Sequence, residues 1–434
     1  MATAQTAIEV SPSLIRRVII TSVVGTGIEW YDFFIYGFFA AWIGRNFFPA
    51  ADPIAATLSA WAAFAVGLMF RPLGAVLFGI IGDKVGRKTA FMIAIFVMGL
   101  GTFIIGILPG YDSIGVAATI LVFLLRIAQG VSIGGSWGGG AAFVAEHVPQ
   151  HRRGYYGSWI TGAAPLAVVV AMGLQLLITT GLDKATVDAW AWRIPFWLSL
   201  LLVAVALYLR MSLEETPVFG MMKKAGTVSQ APFQETFTRH WRLLLVGILA
   251  TVGLGAGWYS AYMGVISTLT AVAKVPAASA SLIMVISGLV SFVGYILFGG
   301  LLADQWGRKP VLMIGYGLAA VTWYPLTMLT RTGDLFLIAL IPILLTLWTG
   351  FYYGPYGALA PEMYPARIRY TALSIAYHVP VGWLGGFAPY IMLSFASSMN
   401  DPIAGAWYPA ICCAISFIAC GLFLKETKRA DIVK

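Results

Sequence analysis

Four charged residues interrupt the long apolar stretches of this sequence. Glu29 and Asp32 lie in the apolar stretch 18–44, within the segment GTGIEWYDFFIYG. Arg71 and Arg126 lie in two later apolar stretches. Because Glu29 and Asp32 are three residues apart, a helix places them on one face. A carboxylate can carry a proton and the planar fork of an arginine holds a carboxylate through two hydrogen bonds, so the pattern predicts proton coupling combined with anion binding.

These residues predict a way to link the binding of protons and substrate. For proton coupling we assign Asp32, Glu29 and Arg126, with Asp32 as the main carrier, Arg126 as its partner and Glu29 as the alternative carrier. A substrate that competes for Arg126 would leave Asp32 without its partner, and Asp32 would then take up a proton. A static ion-pair network that fixes helix packing is the alternative interpretation. Pro72 disturbs the helix after Arg71, so a structural or gating role fits this arginine as well as ligand binding.

The composition indicates that lipid surrounds most of the chain. Its 434 residues are 59% hydrophobic and only 10% charged, whereas soluble domains carry about 25% charged residues. Segments of about 20 apolar residues can cross the hydrocarbon core, where a helix satisfies its own backbone hydrogen bonds. The sequence predicts an all-α membrane protein with twelve transmembrane helices, at 18–44, 57–81, 89–108, 115–143, 155–180, 193–212, 243–270, 280–302, 310–330, 335–360, 371–398 and 403–424.

The basic residues indicate how these helices are oriented. The net charge is +9, and most of the 27 lysines and arginines fall in the loops on one side of the predicted spans. This distribution follows the positive-inside rule, so it favours a topology signal over a nucleic-acid-binding surface. We expect a multi-pass protein of a bacterial inner membrane with both termini in the cytoplasm.

Two loops show that the chain is built from a repeat. The loop GDKVGRK at 82–88 recurs as ADQWGRK at 303–309, at an offset of 304 − 83 = 221 residues. Acidic residues, Glu146 and Glu362, also precede a basic cluster after the fourth span of each half. Such repeats are typical of transporters made of two parallel halves. We predict an N-terminal six-helix bundle at 1–212, a cytoplasmic linker at 213–241 and a C-terminal six-helix bundle at 242–434.

The repeated D-x-x-G-R-K loop resembles the signature loop of the major facilitator superfamily. The segments GIEWYDFFIYG, FRPLGAVLFGIIGDKVGRK, RIAQGVSIGGSWGG, WAWRIPF and PEMYPARIRYTALSIAYH are similar to those of its metabolite:proton symporters, which carry shikimate, α-ketoglutarate, citrate or proline/betaine. The resemblance implies alternating access around a central cavity and proton-driven uptake. One position departs from the family pattern G-G-E-W, since Ser136 replaces the acid. The loss of that negative charge favours an anionic substrate over a betaine-like one.

Polar and aromatic residues of the central spans are the candidates for the substrate site. Aromatic side chains opposite an arginine suit a planar organic acid, although some of them must instead anchor the protein at the lipid interface. For the only histidine within a span, a hydrogen bond to a neighbouring helix is the alternative. The predicted substrate-binding residues are Arg126, Arg71, Gln129, Ser136, Trp137, Tyr36, Tyr259, Tyr352, Tyr356 and His378.

Charged residues of the repeated loops predict a gate at the cytoplasmic mouth. The acids that end the fourth and tenth spans can pair with the loop bases and close the mouth while the carrier is open to the outside. The alternative is that these bases serve only to orient the spans. The predicted gate residues are Asp83, Arg87, Lys88, Glu146, Arg153, Asp304, Arg308, Lys309, Glu362 and Arg367.

Together these features predict proton-coupled uptake of a small organic acid by a protein that works as a monomer. The sequence contains no metal-ligand cluster or nucleophile–base spacing, so we expect neither an enzyme nor a bound cofactor or metal. A zwitterion/betaine symporter and proton-driven efflux of drugs or metabolites are the alternatives. Efflux is disfavoured because the fifth span lacks the G-P-x-x-G-G signature. The two-half repeat disfavours a channel.

Overall fold

The computed structural model describes residues 11–49, 53–211 and 215–432. Within these residues the chain is helical and contains no strand, and twelve of its helices are long and apolar enough to cross a membrane. The predicted all-α membrane protein with twelve spans is therefore confirmed. The boundary predicted between residues 212 and 213 falls outside the described residues, as do the first ten residues.

The twelve spans agree with the predicted ones to within a few residues. They are α1 Pro12–Phe38, α2 Ser59–Lys84, α3 Arg87–Ile107, α4 Val116–His147, α5 Gln150–Gly181, α6 Ala191–Met211, α7 Trp241–Thr270, α8 Ala277–Trp306, α9 Arg308–Thr332, α10 Leu335–Met363, α11 Arg369–Ser398 and α12 Ala404–Phe423. Short helices outside the spans lie at Ala40–Phe47, Tyr111–Ile114, Lys184–Ala189, Pro217–Lys224 and Pro232–Arg239.

The repeated loops form the same turn in both halves. Gly86 has φ +143° between α2 and α3, and Gly307 has φ +111° between α8 and α9. A residue with a side chain is strained in this region of conformational space, so the glycine of D-x-x-G-R-K is needed for the turn. The next helix then begins at Arg87 in the first half and at Arg308 in the second.

Glycines bring α2 and α4 into backbone contact. A Cβ atom at Gly130 would overlap the carbonyl group of Gly67, and one at Gly134 would overlap the carbonyl of Arg71. Glycines spaced four residues apart allow helix backbones to approach closely in a membrane. This close contact fixes where Arg71 of α2 and Arg126 of α4 lie relative to each other along the two helices. Both arginines belong to the candidate site.

The two halves meet along three sets of helices. α2 packs against α11, α5 packs against α8, and α4 packs against α10 and α11. In the described part of the chain, π-helical turns occur only in the second half, at Ser260–Gly264, Thr268–Val272, Tyr295–Leu302 and Val381–Gly385. The helix of α10 is also interrupted between Tyr352 and Tyr356. Such irregular turns are frequent at functional sites, and one of them directly follows Tyr259, which contacts the first half.

Candidate functional site

The four buried charges of the first half lie in the interior of the molecule. Arg71 and Arg126 have no exposed surface, and Glu29 and Asp32 are 1% exposed. Side chains from both halves surround them. The site described below is therefore closed to solvent in this structure.

Aromatic rings enclose the guanidinium group of Arg126. Its Cζ atom lies 4.3 Å from the ring centroid of Tyr36, 4.6 Å from that of Phe33 and 5.0 Å from that of Phe64. Its Nη1 donates a hydrogen bond of 2.8 Å to Oε1 of Gln129. Cation–π contacts of this kind hold a buried cation without neutralising it, so the positive charge of Arg126 remains available to an anion.

Arg71 has a similar environment but connects the two halves. Its Nη1 donates a hydrogen bond of 2.7 Å to the hydroxyl of Tyr259 on α7. Its Cζ atom lies 5.1 Å from the ring centroid of Trp30 and 5.6 Å from that of Phe33. The predicted residues Arg71 and Tyr259 therefore meet at the interface of the halves.

Both arginines have the same edge of the guanidinium group unpaired. In Arg71 and in Arg126, Nη1 is bonded, whereas Nε and Nη2 make no hydrogen bond within the described part of the chain. Nε and Nη2 together form the side of the fork that binds a carboxylate with two parallel hydrogen bonds. Buried donors without a partner are costly, so this arrangement is what a site prepared for a carboxylate requires.

The two acids lie closer to other residues than to Arg126. Oδ1 of Asp32 accepts a short hydrogen bond from the hydroxyl of Ser199 on α6. Glu29 lies beside Ser136, with Arg71 and Arg210 among its charged neighbours. The predicted pairing of Asp32 with Arg126 is not formed in this structure, because Asp32 is directed towards α6.

Each acid keeps one oxygen without a hydrogen bond in the described residues, Oε1 of Glu29 and Oδ2 of Asp32. An ionised carboxylate at this depth is expensive unless it is paired. Addition of a proton removes that charge and supplies a donor. The arrangement is therefore suited to holding a proton.

Trp137 of α4 and tyrosines of the second half form an aromatic wall with unpaired polar groups. The indole of Trp137 stacks on Tyr377 with ring centroids 3.9 Å apart and on Tyr356 at 5.5 Å. The hydroxyls of Tyr353 and Tyr377 are 2.5 Å apart. Nε1 of Trp137, the hydroxyl of Tyr356 and both ring nitrogens of His378 make no hydrogen bond within the described residues.

Tyr352 lies elsewhere, although it was predicted for this site. Its ring stacks on Tyr316 of α9 with centroids 4.8 Å apart, inside the second half. Its neighbour Tyr353 faces Trp137 instead. Adjacent residues of a helix point about 100° apart, so only one of the two tyrosines can face the first half.

Aromatic residues also close the site towards the end opposite the repeated loops. Trp258 of α7 stacks against Phe34 and lies 5.5 Å from Trp30, both on α1. The sequence analysis did not select Trp30, Phe33, Phe64 or Trp258, because aromatic residues at helical spacing are also typical of an ordinary core. Trp30, Phe33 and Phe64 are distinguished by their contacts with Arg71 or Arg126. Trp258 is distinguished by its contacts with α1. Only the packing of the helices shows these contacts.

At the other end, here called the inner end, the loops 82–88 and 303–309 carry a cluster of buried ion pairs. Glu146 on α4 accepts from Arg87 in a short ion pair and from Arg369 of the second half at 2.6 Å. Arg87 also donates to the carbonyl of Ala366 at 3.0 Å. This first cluster joins α3 and α4 to the start of α11.

The second half repeats this cluster. Both carboxylate oxygens of Glu362 accept hydrogen bonds of 3.1 Å from Arg308. Oε1 of Glu362 also pairs with Nη1 of Arg153, from the first half, at 3.1 Å. The carboxylate also accepts from the hydroxyl of Thr427 at 2.7 Å. Each acid thus lies between an arginine of its own half and an arginine of the other half.

The two loop aspartates cap helices of the opposite half. Asp83 accepts hydrogen bonds from the backbone amides of Tyr370 and Thr371, at 3.2 and 2.9 Å, at the start of α11. Asp304 accepts from the amides of Gly154 and Tyr155, at 2.9 and 2.8 Å, at the start of α5. A carboxylate at a helix N-terminus satisfies free amides and interacts favourably with the helix dipole.

Three predicted gate residues have other partners. The ammonium groups of Lys88 and Lys309 bind backbone carbonyls at the ends of α6 and α12, namely Met211 at 3.0 Å and Leu424 at 2.8 Å. Lysine commonly satisfies the last carbonyls of a helix in this way. Arg367 binds Glu235 of the linker at 2.9 Å.

The sequence analysis missed a pair of glutamates at the inner end. Glu215 accepts from the amide of Lys88 at 3.1 Å, and Glu426 accepts from the amide of Lys309 at 2.9 Å, so they cap α3 and α9. Each is followed by a threonine, and their offset of 426 − 215 = 211 residues is close to that of the loops. This shared Glu-Thr pair was the sequence signal that could have revealed them.

Arg210 is a further buried arginine that the sequence analysis did not select. It has no exposed surface and lies on α6, with its Cζ atom 3.7 Å from the ring centroid of Phe143. Its Nη1 donates to the hydroxyl of Ser22 at 3.4 Å. A long arginine near the end of a span can be buried when rings and hydroxyls surround it.

Comparison with known proteins identifies the family. A model described as Major Facilitator Superfamily matches residues 23–377. The chain is 34% identical over 430 residues to the glycine betaine/proline/ectoine/pipecolic acid transporter OusA of Dickeya dadantii, covering 96% of this chain and 85% of that protein. It is 32% identical over 396 residues to the citrate-proton symporter of Klebsiella pneumoniae, covering 89% and 88%. The chain therefore belongs to the major facilitator superfamily, and it is a transporter rather than an enzyme.

A solved structure supports the same fold. The proton:xylose symporter XylE, bound to 6-bromo-6-deoxy-D-glucose, superposes with a TM-score of 0.81 at 17% identity, covering 97% of this chain and 98% of that one. At this identity the likeness concerns the fold alone. It confirms the predicted major facilitator fold of two six-helix halves.

Proposed function

We propose that this protein takes up a small zwitterionic solute with a carboxylate and a cationic nitrogen, such as a betaine, together with protons. The observation that carries the proposal is the pair of unpaired guanidinium edges on Arg71 and Arg126 among aromatic rings. The proposal departs from the organic anion favoured by the sequence analysis. The names of the relatives support it, since OusA is named for glycine betaine and proline.

The carboxylate of the solute binds the free edge of an arginine. Arg71 suits this role because it also bonds to Tyr259 of the other half, so a substrate on Arg71 contacts both halves. Arg126, held by Gln129 and three rings, presents a second edge from the first half. Two hydrogen bonds from a planar fork give more orientation than a point charge would.

The cationic end of the solute lies against aromatic faces. Quaternary ammonium groups bind preferentially over tryptophan and tyrosine rings. The wall formed by Trp137, Tyr356 and Tyr377 spans the interface between the halves. The contact between Trp30 and Trp258 spans it as well. Ser136 in place of an acid leaves this wall without a fixed negative charge, so the rings would carry cation recognition.

Asp32 and Glu29 take up the proton. They lie on one face of α1, and each has an oxygen without a hydrogen bond in the described residues. Because Asp32 is held by Ser199 and not by Arg126, coupling does not require the substrate to displace an ion pair. Instead, the proton removes a buried charge beside the site and thereby favours the closed conformation.

The inner-end clusters act as the gate on the cytoplasmic side. Each buried acid bridges the two halves, so opening this end separates Glu146 from Arg369 and Glu362 from Arg153. Removing one partner of a buried ion pair costs about 3–5 kcal/mol. Binding of solute and proton must offset the free energy that this separation costs.

We assign the domain boundaries as predicted, with bundles at 1–212 and 242–434 and both termini in the cytoplasm.

Transport into proteoliposomes tests the proposal. Purified protein is reconstituted with an inside-alkaline pH gradient, and the accumulation of radiolabelled glycine betaine, proline and citrate is measured with and without a protonophore. We expect glycine betaine or proline to accumulate and the protonophore to abolish accumulation. Accumulation of citrate alone, or accumulation that does not depend on the pH gradient, would overturn the proposal.

Uptake of an organic acid is the second candidate. Two unpaired guanidinium edges can hold two carboxylates as well as one, and the citrate-proton symporter of Klebsiella pneumoniae is among the relatives. The same transport assay distinguishes the candidates, because citrate has no cationic group for the aromatic wall.

A further inference from the structure

A cavity separate from the central site opens beside the inner end. It has a volume of about 470 Å³ and lies between the start of α7 and the ends of α10 and α12. Its lining includes Arg242 and Val246 of α7, and Phe423 and Lys425 at the end of α12. These four residues take no part in the site or the gate described above, whereas Glu362 and Thr427 of the second ion-pair cluster also line the cavity.

The mouth of this cavity carries unneutralised positive charge. Arg242 and Lys425 are exposed, and neither makes an ion pair or a side-chain hydrogen bond within the described residues. The one acid in the wall, Glu362, is already bound by Arg308, Arg153 and Thr427. The cavity therefore offers two free cations to an anion.

The surface below the cavity is apolar and faces outward from the bundle. Leu245 of α7 is 45% exposed, and Ile418 and Leu422 of α12 are 58% and 71% exposed. These residues lie on the membrane-spanning segments just beyond Arg242 and Lys425. Trp241, half exposed beside Arg242, is of a type enriched at membrane interfaces.

We propose that this cavity binds the phosphodiester headgroup of an anionic phospholipid. Arg242 and Lys425 hold the phosphate, and the acyl chains lie along Leu245, Ile418 and Leu422. Basic pockets between transmembrane helices on the cytoplasmic side suit such headgroups. Only a ligand with both an anionic head and apolar chains matches both parts of the surface. The inference is independent of the transported solute.

Native mass spectrometry of the purified, delipidated full chain tests the proposal. Phosphatidylglycerol is titrated and its dissociation constant measured, with phosphatidylethanolamine of the same acyl chains as the zwitterionic comparison. The variant is the double substitution Arg242→Gln/Lys425→Gln. Its matched control is Lys223→Gln/Lys224→Gln, which removes two exposed charges from the linker helix Pro217–Lys224.

We expect the double substitution to weaken phosphatidylglycerol binding about 30-fold, since each cation near the surface contributes about one kcal/mol. The control should change the dissociation constant less than twofold, and phosphatidylethanolamine should bind weakly to every form. Equal losses in both variants would show a general charge effect, and an unchanged double variant would show no site; either result overturns the proposal. Competition by inorganic phosphate at the lipid's own concentration would also overturn it, because it would indicate a site for free anions.

Discussion

At the residue scale, the central observation is which atoms have no partner. Arg71 and Arg126 each use Nη1 within the protein and leave Nε and Nη2 unpaired. Buried polar atoms in native proteins nearly always have partners. Arg210 on α6 has the same two atoms unpaired within the described residues, so the free edge alone does not define a site. The proposed ligand site rests on the free edges of Arg71 and Arg126 together with the aromatic rings around them.

Replacing these arginines by lysine tests the role of the fork. Arg71→Lys and Arg126→Lys keep the charge but lose the bidentate edge, so we expect the dissociation constant for glycine betaine to rise at least about 10-fold. The measurement is a ligand-induced shift of the melting temperature in purified protein. Arg45→Lys is the control, since Arg45 forms an exposed pair with Asp188. Unchanged affinity in both central variants would remove the arginines from the substrate site.

Substitutions that keep the shape of the side chain but remove its acid also show whether Asp32 or Glu29 carries the proton. Asp32→Asn should abolish accumulation driven by a pH gradient and leave counterflow exchange partly intact, because the amide cannot take up a proton. Glu29→Gln is measured in parallel, with Asp188→Asn in the short helix Lys184–Ala189 as control. If Asp32→Asn still accumulates solute and Glu29→Gln does not, Glu29 is the carrier. If both accumulate solute, neither residue couples the proton.

At the scale of elements, the repeat in the sequence becomes a repeat of contacts. Asp83 and Asp304 each cap a helix of the opposite half, and Glu146 and Glu362 each bind arginines of both halves. The tail after α12 adds backbone acceptors, since Arg369 donates to the carbonyl of Ile432 at 2.6 Å. The inner end is therefore held by side chains from loops, helix ends and tail together.

Removing the acid of the second cluster should destabilise the protein. Glu362→Gln leaves Arg153 buried without an ion pair in the described residues and Arg308 paired only with Asp304, so we expect the free energy of unfolding to fall by about 3 kcal/mol. Glu235→Gln is the control, because its partner Arg367 is 47% exposed and such pairs contribute less than about 1 kcal/mol. Thermal unfolding in detergent measures both. Equal melting temperatures for the two variants would contradict a stabilising role of the cluster.

At the scale of the whole molecule, the structure is closed at both ends of the site. Trp258 covers one end through its stack with Phe34 of α1. Towards the inner end, Tyr370 of α11 packs on Gly82 and Gly139 of the first half, and its hydroxyl donates to the carbonyl of Gly135 at 2.6 Å. Alternating access would open one of these contacts at a time.

A larger side chain at the inner contact should shift this equilibrium. A Cβ atom at Gly139 would overlap the ring of Tyr370, so Gly139→Val should favour the conformation that is open at the inner end. Labelling of Ser374→Cys by a membrane-impermeant maleimide reports the opening, because Ser374 is buried. The chain without Ser374→Cys serves as the blank, since its own cysteines are buried in α12.

We expect labelling of Ser374→Cys to increase from the inner side when Gly139→Val is added. Gly173→Val is the control, because no atom lies within 4 Å of a Cβ placed there. Size-exclusion chromatography checks that each variant remains folded. Labelling that stays unchanged, or that increases from the opposite side, would contradict the role of this contact.

The sequence by itself determined the fold class, the twelve spans and the repeated loop motif. The length of an apolar segment, a glycine at a turn and the charges in a loop can each be read from a short stretch of sequence. The membrane requires every spanning segment to be a helix that satisfies its own backbone hydrogen bonds. The buried position of Glu29, Asp32, Arg71 and Arg126 followed for the same reason. The sequence did not show that Tyr353, and not Tyr352, faces the first half, because this depends on where the helix of α10 is interrupted.

Only the tertiary structure decided which side chains meet. It directed Asp32 towards Ser199, placed three rings around Arg126, and bonded Arg71 to Tyr259 at a separation of 188 residues. It also showed that the free edges of both arginines lie among aromatic faces, which is the arrangement on which the proposal of a zwitterionic solute rests. Contacts between distant helices depend on their rotation and height, and periodicity within one helix does not fix either of them.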